Sequence, residues 1–391
     1  MINKEVLAKK IVVTGGGSGG HISSAKSIID ELDKHFILNE NNFLYIGSDL
    51  GMEGEKPGNS LEMKIFKNEN FKQLYIRGGK LQRRFTFRTI YLFLRTILGF
   101  VDSFKILNKF HPDIVISTGG FVSVPVCIVA NFFKAQIFLH EQTATVGLSN
   151  RIVSKFAKKI FVAYPSSIKF FPKEKVIHSG NLVREEIFFN SGRGPIIEEM
   201  RKMIAQSDEL PIIYISGGSL GSHVINEVIK ESLPILLQDY QLILQTGDSK
   251  ITNDYQLLCL EKEKLSNDLK ERLVVTKYIG NEQIGFVLNN IDLFIGRAGA
   301  NTVYELGLLR IPSILIPIPW VTHNEQQENA KILESVGLAK IIHEGEFTPE
   351  KLQVLLRLFS KEKLVIDEKK ANEIFVLKAA EKIIQNINFR D

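Results

Sequence analysis

The stretch Ile11-Val12-Val13-Thr14-Gly15-Gly16-Gly17-Ser18-Gly19-Gly20-His21 decides how this chain folds. A short β-branched run stops at a cluster of glycines, and an amphipathic segment follows through Ile22, Ala25, Ile28, Ile29 and Leu32. That order is strand, tight loop, helix. Glycine lets a backbone pass close to a ligand, and the N–H groups of a first helical turn favour an anion. The device recurs at Ile212-Ile213-Tyr214-Ile215-Ser216-Gly217-Gly218-Ser219-Leu220-Gly221, followed by a helix through Ile225 and Val228. Two copies in one chain predict two nucleotide-binding-type domains that face each other across a cleft.

The bulk properties agree with two domains. The chain has 391 residues, long for one core, with 44% hydrophobic and 24% charged residues, as in an ordinary folded protein. A net charge of +5 is mild and does not choose between nucleic acid, an anionic membrane surface and a phosphorylated ligand. Cys127 and Cys259 lie far apart, which signals neither a disulfide framework nor a zinc site and suits a reducing compartment. Met1 to Lys10 holds no apolar signal core. The most apolar window, Ile90 to Val101, is interrupted by Arg95 and falls short of the roughly 20 apolar residues of a spanning helix. The expectation is a cytoplasmic protein, whether or not it touches a membrane.

Further strands are expected at Phe43–Ile46, Ile114–Ser117, Gln136–Leu139 and Lys159–Val162. After a turn-rich linker, Ser191 to Pro195, come Ile212–Ser216, Leu242–Gln245, Leu273–Thr276, Leu293–Ile295, Ser313–Ile316 and Ala339–Ile342. Helical patterns between them predict parallel sheets with helices on both faces. The stripe Ile374, Leu377, Ala380, Ile384, Ile387 predicts one long final helix from Lys369 to Asn388, able to pack back on the first domain. The region from Ile76 to Leu107 stands apart. It opens with Arg77-Gly78-Gly79-Lys80-Leu81-Gln82-Arg83-Arg84 and continues with aromatic and aliphatic residues at helical spacing around most of the circumference, Arg88 and Arg95 among them. Two readings stay open: a packed helix behind a basic loop, or an interfacial element whose arginines meet anionic lipid.

Ligands of open parallel sheets bind at the carboxyl ends of strands, and the unusual polar residues gather there. His21 follows the first loop, Glu141 follows Leu139, and Ser219 sits in the second loop. Gly296-Arg297-Ala298-Gly299-Ala300-Asn301-Thr302 opens a helix that carries Glu305. Pro317-Ile318-Pro319-Trp320 leads to His323, Gln326, Gln327 and Asn329. Taken singly each is modest: Gly15-x-Gly17-x-x-Gly20 alone is a weak dinucleotide fingerprint, and His21, Glu141 or Glu305 could serve local structure. Their number at equivalent ends of two sheets is what argues for a site. No His-x-x-x-His pair, Asp-x-Asp pair or nucleophile elbow is present, so neither metal nor cofactor is expected. In-line transfer on an anionic nucleotide ligand, assisted by a general base, fits what remains.

The segments Gly16-Gly17-Ser18-Gly19-Gly20-His21, Gly119-Gly120-Phe121-Val122-Ser123-Val124-Pro125, His140-Glu141-Gln142, Gly147-Leu148-Ser149-Asn150-Arg151, Gly180-Asn181-Leu182-Val183-Arg184, Gly217-Gly218-Ser219-Leu220-Gly221, Arg297-Ala298-Gly299-Ala300 with Glu305, and Gln326 with Asn329-Ala330 occur in one order. That ordered set resembles the MurG family, the peptidoglycan N-acetylglucosaminyltransferases, over nearly the whole chain. The resemblance implies an α/β protein of GT-B type, two Rossmann-like doubly wound domains. Residues 1–180 would take the lipid-linked acceptor and touch the membrane. Residues 181–368 would bind UDP-GlcNAc, and the helix over 369–391 would return to the first domain. Glu305 would hold the ribose hydroxyls, Ser219 and Arg184 the diphosphate or its surroundings, Ile279 the uracil through backbone groups, and Gln326 the GlcNAc hydroxyls. Ala300, Asn301 and Thr302 would belong to the same donor site, with Ser18, Gly19 and Gly20 lining the cleft from the other domain. His21 and Glu141 are the candidate bases.

Two positions depart from the family. Thr143, counted with the UDP-GlcNAc-binding residues that the resemblance implies, stands where many members have Asn after His-Glu-Gln, and Glu325-Gln326 stands where His-Gln is common, with His323 displaced. The implied reaction is inverting transfer of GlcNAc to the muramic acid 4-hydroxyl of lipid I, giving lipid II. The implied partners are UDP-GlcNAc, the lipid-linked muramoyl-pentapeptide, an anionic membrane surface at the cytoplasmic face and cell-wall synthesis proteins, with no nucleic acid. The alternatives are a glycolipid synthase with a diacylglycerol acceptor, an NAD-dependent oxidoreductase on the first glycine loop, and a non-catalytic nucleotide sensor at the membrane.

Overall fold

A computed structural model describes residues 4–50, 58, 60–79, 87–206, 210–218, 220–249, 251–320, 324–361 and 365–389. The chain forms two compact units, Met1–Val183 with Val376–Asp391, and Arg184–Phe375.

The first unit is built on a seven-stranded parallel sheet in the order Gln73–Ile76, Phe43–Ser48, Ile11–Thr14, Ile114–Ser117, Gln136–Glu141, Ala157–Val162, Val176–His178. The central strands are buried on both faces, which is why they read as unbroken runs of β-branched and aromatic residues. The chain adds strands on one side of Ile11–Thr14 and then returns to its other side. Ile11 pairs with Phe43 in one direction and with Ile114 in the other. The switch point lies at the carboxyl ends of Ile11–Thr14 and Ile114–Ser117, and the first glycine loop leaves the sheet there. Helix Gly19–His35 buries Ile22, Ala25, Ile28, Ile29 and Leu32 on the sheet, and its last turn carries Lys34, a cation at the negative end of the helix dipole.

The second unit repeats the plan with six parallel strands: Leu273–Thr276, Gln241–Gln245, Ile212–Ser216, Leu293–Gly296, Ser313–Leu315, Ala339–Ile341. Its switch point lies between Ile212–Ser216 and Leu293–Gly296, where Ile213 pairs with Leu293.

Three expectations need correction. The tail is two helices, Glu368–Ile374 in the second unit and Ala379–Gln385 in the first. Phe375 stacks on Tyr304 with ring centroids 5.3 Å apart, and Lys378 takes a left-handed φ of 60°, which breaks the helical path. Beyond the break Ile383, Ile384 and Ile387 are buried in the first unit's core, each contributing about 1.5–3 kcal/mol. The units therefore divide between Val183 and Arg184 and again between Phe375 and Val376, where residues 180 and 368 were expected. Lastly, two edge strands, Gln73–Ile76 and Val176–His178, were unforeseen, while the helical spacing of the basic-aromatic region is met by helix Phe87–Phe110.

Two arginines of that region are held in ion pairs within the unit. Arg77 makes a bidentate pair with Asp102 at 2.8 and 2.7 Å, and the Arg77 hydrogen bonds hold the Asp102 carboxyl below its ordinary range. Arg95 is buried, donates to the Gly78 carbonyl at 3.0 Å and pairs with Asp49. Lys80, Arg83 and Arg84 lie outside the described residues, as does the side chain of Arg88. Along the same helix Leu94, Ile97, Leu98, Val101 and Phe104 are exposed, and Phe132 lies against Phe104. No helix among the described residues is long and apolar enough to cross a membrane.

Candidate active site

In the first unit the inner part of the glycine loop is filled by the protein itself. Gly17 has a φ of 80°, and a Cβ there would come within 2.2 Å of the Phe121 ring. Its N–H donates to Glu62 Oε1 at 2.7 Å, and Gly16 N–H donates to the Gly119 carbonyl at 3.3 Å. The Gly15 carbonyl accepts from the Tyr45 hydroxyl at 2.6 Å. Glu62 is buried and was not singled out in the sequence. Burial first, and the Glu62 charge second, push the Tyr75 hydroxyl up to about 12 and raise that of Tyr45. Ser18, Gly19 and Gly20 are half-buried where the helix begins. An NAD pyrophosphate needs the inner N–H groups that Glu62 and Gly119 occupy. Asp49, which would have to meet its ribose, is paired with Arg95. The dinucleotide alternative falls on both counts.

His21 is half-buried on the first turn of that helix. Its Nδ1 lies 2.7 Å from the Thr118 carbonyl and 3.1 Å from the amide nitrogen of Gln142. A carbonyl can only accept, so Nδ1 carries the hydrogen and Nε2 carries the ring's lone pair.

Glu141 is differently placed. It is buried, and Oε1 accepts from the Thr143 backbone N–H at 3.0 Å and from the Thr143 hydroxyl at 2.7 Å. Oε2 accepts from Asn150 Nδ2 at 2.9 Å. Burial pushes its carboxyl up, and the hydrogen bonds from Thr143, Asn150 and the Gly147 backbone pull it back. Thr143 is buried with its hydroxyl between Glu141 and the Thr145 carbonyl. This pair pins the loop after strand Gln136–Glu141. Next to it His140 donates from Nε2 to the Gly180 carbonyl at 3.1 Å, and burial lowers its ring to about 4.

In the second unit a cleft of about 280 Å³ opens at the switch point, lined by Arg184, Gly217, Gly218, Thr302, Glu305 and Gln326 among others. Glu305 is buried on helix Ala300–Leu309. It receives Arg184 in a bidentate pair, Nε to Oε1 at 2.9 Å and Nη2 to Oε2 at 3.2 Å, while Arg184 Nη1 donates to Asn281 Oδ1 at 3.1 Å. Ala300, Asn301 and Thr302 form the first turn of the same helix. Gln326 Oε1 accepts from the Ile318 N–H at 3.1 Å. Ile279 is buried, and its N–H is taken by Gln245 Oε1 at 3.1 Å, which also accepts from the Tyr214 hydroxyl at 3.0 Å. Ser219 and His323 lie outside the described residues. Gln245 was missed in the sequence, where it reads as the last residue of a strand. Arg297 was noted without a task. It is buried and ties Ser222 Oγ at 2.7 Å, the Ile316 carbonyl at 3.0 Å and Glu344 behind the second loop.

Comparison with known proteins agrees with this geometry. Residues 11–162 match the glycosyltransferase family 28 N-terminal domain and residues 212–387 match the family 28 C-terminal domain. A UDP-N-acetylglucosamine–N-acetylmuramyl-(pentapeptide) pyrophosphoryl-undecaprenol N-acetylglucosamine transferase of Caldicellulosiruptor saccharolyticus is 35% identical over 92% of this chain and 90% of its own length. A second transferase of that name, from Bacillus cereus, is 34% identical over 97% of this chain and 99% of its own. In three dimensions the crystal structure of Acinetobacter baumannii MurG superposes with a TM-score of 0.68 at 22% identity, covering 97% of this chain and 99% of that one. A UDP-GlcNAc 2-epimerase from Neisseria meningitidis shares the fold at a TM-score of 0.62 and 15% identity. The chain has the GT-B fold and belongs to the MurG family of glycosyltransferase family 28.

Proposed function

We propose that this chain is an inverting hexosyltransferase that moves N-acetylglucosamine from UDP-GlcNAc to the muramic acid 4-hydroxyl of undecaprenyl-diphospho-MurNAc-pentapeptide, turning lipid I into lipid II in peptidoglycan synthesis. Identity along almost the whole chain to transferases of that name carries the reading. The geometry supplies a residue for each task.

The cleft of the second unit takes the donor. A carboxylate has about four lone-pair positions, so Glu305 can accept both ribose hydroxyls while Arg184 keeps its two bonds. Since the Ile279 N–H is engaged, uracil meets the Ile279 carbonyl, an acceptor for the N3–H. Gln326 spends its oxygen on the Ile318 N–H and turns its NH₂ toward the GlcNAc oxygens. Ser219 in the glycine loop, and Ala300, Asn301 and Thr302 at a helix amino end, stabilise the charge of the departing diphosphate. In the first unit His21 Nε2 takes the proton of the 4-hydroxyl as that oxygen bonds to the sugar C1 and the bond from C1 to the diphosphate breaks. Glu141, with both oxygens engaged, holds the neighbouring loop, and Thr143 acts through it. Ser18, Gly19 and Gly20 shape the acceptor side. The exposed stripe from Leu94 to Phe104 with Phe132 suits peripheral binding to the cytoplasmic face of the membrane.

The test is transfer by the purified protein, with labelled UDP-GlcNAc offered lipid I or diacylglycerol. Label should move to lipid I with release of UDP. Transfer to diacylglycerol instead, or no transfer to either, would overturn the proposal.

A further inference from the structure

The reaction outlined above leaves one buried side chain beside the base without a task. Gln142 follows Glu141 and is only 4% exposed. Its amide nitrogen is placed 3.1 Å from His21 Nδ1 and its oxygen 2.7 Å from Ser24 Oγ, itself fully buried on helix Gly19–His35, an orientation that the chemistry of the partners reverses. Gly20 makes room for it: a Cβ at that position would come within 3.0 Å of the Gln142 amide nitrogen. On another side of the ring, a Cβ at Gly119 would stand 2.9 Å from His21 Cε1, at a φ of 96°. The Thr118 carbonyl closes the box at 2.7 Å from Nδ1.

The two ends of an amide are told apart by their partners. Thr118 requires a hydrogen on Nδ1. An NH₂ turned toward that nitrogen sets donor against donor, whereas the amide oxygen there accepts. Ser24 admits either end, because a hydroxyl both donates and accepts. We propose that Gln142 is the positioning residue of the base, presenting its amide oxygen to His21 Nδ1–H while Ser24 accepts from its NH₂ end. The proposal rests on the reading of His21 as the base. Two acceptors on Nδ1–H keep the lone pair on Nε2, where the acceptor proton arrives, and stabilise the imidazolium formed as UDP leaves. The titratable neighbours leave this role to Gln142. His140 is buried and bonded to Gly180, and Glu141 is bonded to Thr143 and Asn150.

The experiment compares Gln142→Leu, Gln142→Glu, Ser24→Ala and His21→Ala in the full chain. Steady-state kinetics are measured for each, and ¹⁵N spectra of the histidine rings for the wild type and the first three. Gln142→Leu should lower kcat about 10- to 100-fold while KM for UDP-GlcNAc stays within about two-fold. Gln142→Glu, which keeps an acceptor oxygen, should recover most of that loss. The His21 ring should be in the Nδ1–H form in the wild type and a mixture of tautomers in Gln142→Leu, with Ser24→Ala between them. A wild-type ring in the Nε2–H form, an unchanged kcat in Gln142→Leu, or Gln142→Glu as impaired as Gln142→Leu would each overturn the proposal. The wild-type and Ser24→Ala spectra decide it even if the Leu variant does not fold. Full activity in His21→Ala would overturn the base assignment separately, while the spectra still report what orients the ring.

Discussion

At the switch point of the first sheet, Gly15, Gly16 and Gly17 are buried, the Gly119 carbonyl takes the Gly16 N–H and Glu62 takes the Gly17 N–H. At the switch point of the second, Gly217 and Gly218 border an open cleft with Arg184 and Glu305 in its wall. The local sequence and fold are alike, and the chemistry is not. What differs is what reaches the loop from outside: the buried Glu62 carboxylate takes a donor of the first, while the Gly218 N–H of the second is bonded within its own loop to Ser216 Oγ at 3.1 Å beside the cleft. The histidines that follow the loops at matching register repeat the contrast. His21 Nδ1 meets the Thr118 carbonyl at 2.7 Å, and His223 Nδ1 meets the buried Asp254 carboxylate at 2.7 Å. On the proposed function, the first unit uses its loop to aim a base, and the second uses its loop to receive a nucleotide.

The largest expected effect follows from that division of labour. His21→Ala should lower kcat by about 10²–10⁴-fold, the usual contribution of a positioned base. Calorimetric affinity for UDP-GlcNAc should hardly change, because Glu305, Arg184 and Gln326 belong to the other unit. Glu141→Gln should act mainly on stability, since it weakens a buried network. If Glu141→Gln abolished turnover in a folded protein and His21→Ala kept it, the roles would be exchanged.

A second effect sharpens the view of the first unit as a closed structure. His140 is held neutral by burial with its ring lowered to about 4, below the ordinary 6.5. Between those values the unfolded chain binds a proton that the folded chain does not. Stability therefore rises with pH across that window and is lost on acidification from 6.5 toward 4, by about 3 kcal/mol at most. Urea denaturation at several pH values should show His140→Gln losing less stability than wild type over the same window. Equal losses would mean that His140 is not buried neutral.

How far the sequence could reveal this contrast depended on the range of the contacts. Most strands of both sheets were legible because each is a short run of β-branched, aliphatic or aromatic residues stopped by glycine or a polar residue. The two edge strands Gln73–Ile76 and Val176–His178 were not, since both are mostly half-buried and short, and the first carries Gln73 and runs into the basic segment. The candidate residues were legible as types, but their employment was not. Nothing local says that Glu141 will be bonded at both oxygens, that Gln245 will take the Ile279 N–H, or that Glu62 will reach Gly17. The last of these spans two segments without shared periodicity. The final helix failed for the opposite reason. Its stripe is continuous in sequence, and the docking of Phe375 on Tyr304 with the left-handed Lys378 breaks it.

The open loop can be tested through its carboxylate. Glu305→Ala removes the acceptor proposed for the ribose and leaves Arg184 without its bidentate partner. UDP-GlcNAc binding should weaken by about 1–3 kcal/mol, the scale of a lost hydrogen bond to a charged group. An unchanged calorimetric affinity, with the fold intact, would place the donor elsewhere.

The smallest expected effect belongs to the closed loop. Glu62→Gln leaves an acceptor oxygen for the Gly17 N–H and removes only the charge, so it should cost about 0.5–1.5 kcal/mol, the difference between a charge-assisted and a neutral hydrogen bond. Glu62→Ala, which leaves a buried N–H unpaired, should cost more in the same urea titration. A spectroscopic reading comes with it. The Tyr75 hydroxyl stands at about 12 through burial and, after that, through the Glu62 charge. In Glu62→Gln the second cause is gone and the first remains, so Tyr75 should titrate at a lower pH than in wild type. If Tyr75 stays where it is, no charge sits beside the first loop. If Gln proves as costly as Ala, the bond to Gly17 depends on that charge rather than on an acceptor of the right shape. Either result would remove the ground for calling the first loop closed by a carboxylate from outside it, in contrast to the second, whose Gly218 N–H is held by its own Ser216 Oγ.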